Sequence, residues 1–136
     1  MVSYVGLSLL TWVFLCFFAV MDQLSTYWDV EITSEAIGKK KAERRENNVL
    51  QKYLWRHFSY KTTAFISLIL QLLVYSIVAL LVFLTKNDIV ALAALILSVM
   101  MGSFMVTGNF LYYRRCYRLK ERYPKKYKKL IRDYVE

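Results

Sequence analysis

Chemistry-bearing residues are scarce in this chain. One histidine and two cysteines serve 136 residues. Cys16 and Cys116 are too few for a disulfide framework, and they lack the CxxC or Cys/His spacing of a zinc site. They read as two unpaired thiols. A single histidine argues against haem or copper ligation by this chain alone. There is no glycine-rich phosphate loop, no HExxH and no nucleophile elbow. Internal repeats and low-complexity linkers are also missing. Basic residues are absent from the first 38 positions, although the chain holds 19 Lys and Arg and a formal net charge of +9. Most telling, the stretches 62–85 and 89–113 contain no charged residue.

Those two stretches, joined by Lys86, Asn87 and Asp88, organise the rest. Each exceeds the roughly 20 apolar residues that cross about 30 Å of hydrocarbon. A buried helix of a soluble protein is usually shorter and keeps a polar stripe. The pair is therefore expected to be a membrane-spanning helical hairpin. Residues 2–21 form a third apolar run that extends toward Trp28. A signal peptide competes for this run, but it needs a positive n-region and a small-x-small cleavage site. Neither is present, so a first span over about 3–27 is expected. The fold class is all-α: one polytopic membrane domain over 1–136, with a loop at 29–61, a tail at 114–136 and amphipathic helices within both.

The basic residues set the expected orientation. The loop carries 8 Lys and Arg, the tail 10, and only Lys86 falls on the opposite side. The positive-inside rule then puts the N-terminus outside and the loop and tail in the cytoplasm, in a cell (plasma) membrane. Charge flanking spanning segments is explained by topology and anionic lipid headgroups, so no nucleic-acid partner is expected.

Within the loop, residues 33–47 are almost wholly polar and read as solvated. Residues 48–59 differ: Val49, Leu50, Tyr53, Leu54 and Phe58 recur at helical spacing, opposite Asn48, Gln51, Lys52, Arg56 and Ser59. A basic amphipathic helix in front of a span suits the membrane interface, with packing against a partner subunit as the alternative. Pro124 is expected to break the third helix at Tyr123 and to open a new one. There Tyr127, Leu130, Ile131 and Tyr134 share a face for the interface or a partner. Trp55, Arg56, Arg114, Arg115 and Tyr127 are the expected interface residues.

Polar residues inside the spans are the informative ones, because they cost energy to bury. Thr63, Ser67, Gln71 and Tyr75 are spaced by four. In the third span Ala91, Ala94, Ser98, Gly102 and Asn109 line up, with Ser98-x-x-x-Gly102 as a small-xxx-small pair. Gln71, Ser67, Ser98, Gly102 and Asn109 are expected to be helix-packing residues, with Gln71 and Gly102 near the midplane. A hydrophilic pore lining is the alternative. Asp22 ends the first span, at the expected depth of Thr26, Thr63 and Asn109. With Glu46 and His57 it makes a thin candidate metal or proton-relay set. The simpler reading is an aspartate at a helix end reaching water.

Asp22-Gln23-Leu24-Ser25-Thr26 resembles the Asp-x-x-x-Thr that ends the first span in a family of small prokaryotic membrane proteins of unknown function. That family also carries a Glu-x-Asn-Pro-type turn before its second span. Here the turn would be Glu46-Asn47-Asn48-Val49, with Val for Pro and a longer loop between. The resemblance covers about 10–85. It implies a three- or four-helix membrane fold and no chemistry.

The expected function is a non-catalytic accessory or assembly subunit without a cofactor, whose partners are the lipid bilayer and other membrane subunits or further copies of itself. A homo-oligomeric transporter or channel lined by the Thr63–Tyr75 stripe is the alternative. A metal-dependent membrane enzyme ranks third.

Overall fold

Long runs of Leu, Ile, Val, Phe and Ala leave the backbone no solvent partner in lipid, so the chain satisfies its own amides as helix. The computed structural model describes residues 3–44 and 49–135. These residues form six helices: α1 Tyr4–Ile37, α2 Lys39–Arg44, α3 Val49–His57, α4 Tyr60–Leu84, α5 Asp88–Arg122 and α6 Tyr127–Val135. Among the described residues there is no strand. Helices α1, α4 and α5 are long and apolar enough to cross a membrane. The protein is an all-α integral membrane protein.

Helix ends are set by local chemistry. Gly38 adopts φ +88°, a left-handed conformation that suits glycine, and its N–H reaches Ser34 O at 2.9 Å to close α1. Ser59 Oγ accepts from Thr62 N–H at 3.2 Å and caps α4. Asn87 Oδ1 accepts from Ile89 and Val90 N–H at 2.9 and 3.2 Å, capping α5. Lys86 turns the chain at φ 50° just before it. Beyond Tyr123, Tyr127 N–H already reaches Tyr123 O at 2.8 Å, so Pro124 sits in the entering turn, where it has no donor to lose.

Two structural units result, Met1–Gln23 with Ile66–Thr107 and Leu24–Phe65 with Gly108–Glu136. The first is built by small residues. Ala19, Ala79, Ala91, Gly102 and Ser67 are buried, whereas Phe17, Leu73, Ile77, Leu81 and Phe104 face outward. In lipid, large apolar residues gain nothing by turning inward, and small ones allow backbones to approach. Trp12 Nε1 donates to Ser76 Oγ at 3.0 Å, and Tyr4 packs on Phe83. Thr11 and Ser98 donate to the carbonyls of Leu7 and Ala94 on their own helices.

The second unit has an ordinary apolar core. Ile32, Ala36, Cys116, Tyr127 and Ile131 cluster together, with Ile131 and Cys116 fully buried. Val30, Ala42 and Trp55 form another cluster beside Tyr60. Lys120 Nζ meets Glu35 Oε2 at 2.7 Å, Thr33 and Tyr112 share a hydrogen bond of 3.1 Å, and Trp28 stacks on Tyr113. Arg115 lies 4.2 Å over the Tyr134 ring.

This packing changes three expectations. Residues 29–37 are not loop: α1 continues through them, because Val30, Ile32, Thr33 and Ala36 are buried. Segment 33–47 is accordingly not solvated throughout, and Ala42 is buried as well. The third helix runs on to Arg122 and ends before Pro124, in line with the expected break at Tyr123. Helix α6 docks on its own chain through Tyr127 and Ile131, so the face expected to seek a membrane or partner is already used.

Candidate functional site

Asp22 is the carboxylate of the spanning segments. From Tyr4 it lies about 27 Å along α1, at about 1.5 Å per residue. Gln71 lies about 18 Å along α4 from Phe83, the ring that Tyr4 touches. Counting Cα positions thus separates the two residues in depth, yet Gln71 Nε2 donates to Asp22 Oδ2 at 3.2 Å. Side-chain direction accounts for this. Cβ bonds tilt toward a helix's own N-terminus, and α1 and α4 run in opposite directions. Asp22 therefore leans into the bilayer while Gln71 leans back to meet it. Residues expected at different depths, Gln71 near the midplane and Asp22 at the boundary, thus meet through their side chains.

Asp22 also borders a cavity of about 180 Å³, together with Tyr75, Phe18, Ser98, Met101 and Gly102. Gly102 packs beneath Phe18 so closely that a Cβ at this position would overlap the ring. Gln71 Oε1 is buried with no hydrogen-bond partner among the described residues. Carboxylate, amide carbonyl and phenol make an acceptor-rich patch in apolar surroundings. Such a patch favours hydrogen-bond donors, because polar groups buried without them are expensive.

The remaining expected residues distribute as follows. Ser67 and Thr63 are buried in α4. Asn109 Nδ2 donates to Thr26 Oγ1 at 3.1 Å and Ser25 Oγ at 3.4 Å. His57 is exposed and packs on Tyr53, and Glu46 lies outside the described residues. Among the described residues no three His, Cys, Asp or Glu side chains gather.

Of the expected interface residues, Arg56, Arg114 and Arg115 are exposed, whereas Trp55 and Tyr127 are 3% and 7% exposed. These two rings are core residues, because each fills its unit's apolar cluster. Tyrosines that are exposed instead include Tyr53, Tyr117, Tyr123 and Tyr134. Beyond the apolar part of α1, the Lys120 ammonium holds the Glu35 carboxyl below its ordinary value, and Glu35 reciprocally raises Lys120. Nothing in the sequence pairs these two, which stand 85 positions apart. No known family, no curated protein and no solved structure matches the chain.

Proposed function

We propose that this chain is a non-catalytic accessory or assembly subunit of a larger complex in the cell membrane. The supporting observation is the direction of the polar residues. Thr63 and Ser67 of the α4 stripe are buried, Gln71 holds Asp22, and Trp12 holds Ser76. A stripe used for internal packing is not left over to line a pore between copies. The outward faces of the spanning helices are apolar, and α3 exposes Val49, Leu50 and Tyr53 beside basic residues. The surplus of Lys and Arg in segments 29–61 and 114–136 favours a cytoplasmic basic end and an outer N-terminus.

The test is the native size in mild detergent, with mass spectrometry of co-purifying chains. Assemblies well above 16.1 kDa that contain a second membrane protein are expected. A lone monomer sinks the reading. The transporter alternative draws on the cavity beside Asp22. It requires liposome flux that falls in Gln71→Leu.

A further inference from the structure

A second concave site lies in the unit formed by Leu24–Phe65 and Gly108–Glu136. Lys40 and Arg44 on α2 and Lys52 and Arg56 on α3 converge on an open groove of about 340 Å³, with Glu43 as its one acid among the described residues. That volume falls within the range of about 300–1,000 Å³ typical of small-ligand pockets. Four cations around one carboxylate leave the groove strongly positive, and like charges brought together destabilise a fold unless an anion joins them. Glu43 Oε1 lies 3.7 Å from Lys39 Nζ and accepts no hydrogen bond among the described residues, which leaves it open to a hydroxyl donor.

The position of the groove narrows the choice of anion. The left-handed turn at Gly38 ends α1 and starts α2, and Ala42 then packs with Val30, Trp55 and Tyr60. Tyr60 is the first residue of the spanning helix α4, and Arg56 precedes it by four residues across the break between α3 and α4. The residues of α3 that line the groove therefore lie shortly before the apolar run of α4, and the start of a spanning helix is where lipid phosphates are met. Helix α3 also exposes Val49, Leu50 and Tyr53, at 80, 51 and 58%. A helix with basic residues and uncovered apolar ones suits insertion at the headgroup boundary.

From this arrangement we infer that the α2–α3 groove binds the phosphate of an anionic glycerophospholipid headgroup. Arg44 and Arg56 grip the phosphate oxygens through charge-assisted hydrogen bonds, and Lys40 and Lys52 supply point charges. Glu43 accepts from a hydroxyl of the headgroup, which favours phosphoglycerol over phosphocholine.

The test uses the full chain, delipidated in detergent, with native mass spectrometry counting bound lipid during titration with phosphatidylglycerol or phosphatidylcholine. One tightly held phosphatidylglycerol is expected, and phosphatidylcholine should bind at least about tenfold more weakly. Arg44→Gln/Arg56→Gln should lose about tenfold in phosphatidylglycerol affinity, whereas Lys125→Gln/Lys126→Gln, with the same charge change, stays within about twofold. Should the double variant fail to fold, each single arginine variant serves alone. Equal binding of both lipids overturns the inference. So does an equal loss in the two double variants, which would indicate diffuse surface charge. Competition by inorganic phosphate as effective as that by lipid overturns the lipid assignment.

Discussion

Gln71 Nε2 donates to Asp22 Oδ2 across 3.2 Å, joining an amide of α4 to a carboxylate of α1. Removing the amide takes a donor from the acid. Gln71→Leu is expected to destabilise the protein in detergent by about 1–3 kcal/mol, and Asp22→Ala by a similar amount. Because both changes remove one contact, the double variant should cost clearly less than their sum. Asp133→Ala, an exposed residue of α6, is the control and should be nearly silent. Additive losses in the cycle would show that the pair does not act as a unit. Asp29 makes a poor control, since it lies within α1 and accepts from Thr33 Oγ1 at 3.2 Å.

Glycines in α5 should respond oppositely to the same change. At Gly102 a Cβ would run into the Phe18 ring, while at Gly108 nothing lies within 4 Å. Gly102→Ala is expected to cost about 1–3 kcal/mol by overpacking. Gly108→Ala should be neutral or stabilise by up to about 1 kcal/mol, since alanine favours helix. Phe18→Ala should rescue the first variant in part. Equal melting temperatures for the two glycine variants would rule out the close approach.

Ile131 is fully buried against Ile32, Ala36 and Cys116. Ile131→Ala should weaken α6 docking by about 2–5 kcal/mol. Tryptic cleavage after Lys128 and Lys129 should then speed up well before the spanning helices unfold. A wild-type cleavage rate would remove α6 from the core.

The Glu35–Lys120 pair makes a prediction about pH. Glu35 is depressed below its ordinary 4.5, chiefly by the Lys120 hydrogen bond. Its stabilisation is therefore complete above about pH 4.5 and is lost as pH falls through the lower folded value. Lys120 is raised above its ordinary 10.5, so its share persists up to that pH and fades only beyond it. Both side chains are nearly half exposed, at 43 and 45%, which limits the pair to about 1 kcal/mol. The difference in stability between wild type and Glu35→Gln should be small and flat near neutrality, and should close in acid. A difference that widens as pH falls contradicts the assignment.

The spanning helices were legible because charge is absent from 62–85 and 89–113, and hydrocarbon tolerates little else. Gly102 was legible as a small packing residue, although its partner Phe18 was not. Depth was harder to read. Asp22 and Gln71 look a turn or more apart in Cα count, and only the lean of side chains on antiparallel helices closes the gap. Residues 29–37 look like loop because polar composition suggests solvent contact. Thr33 in fact bonds Tyr112, and Ala36 packs on the α6 cluster. The face of α6 shows in its spacing, but what it covers depends on pairings such as Glu35–Lys120 that no local pattern encodes.

The complete burial of Cys116 under α6 also makes the protein its own chemical reporter. A water-soluble maleimide meets that thiol only while the helix is lifted, so the labelling rate measures the population of the opened form. The other thiol, Cys16, lies in the apolar part of α1, where such a reagent does not partition. The unmodified chain thus carries one addressable sulfur, and its reactivity clocks how often α6 lets go.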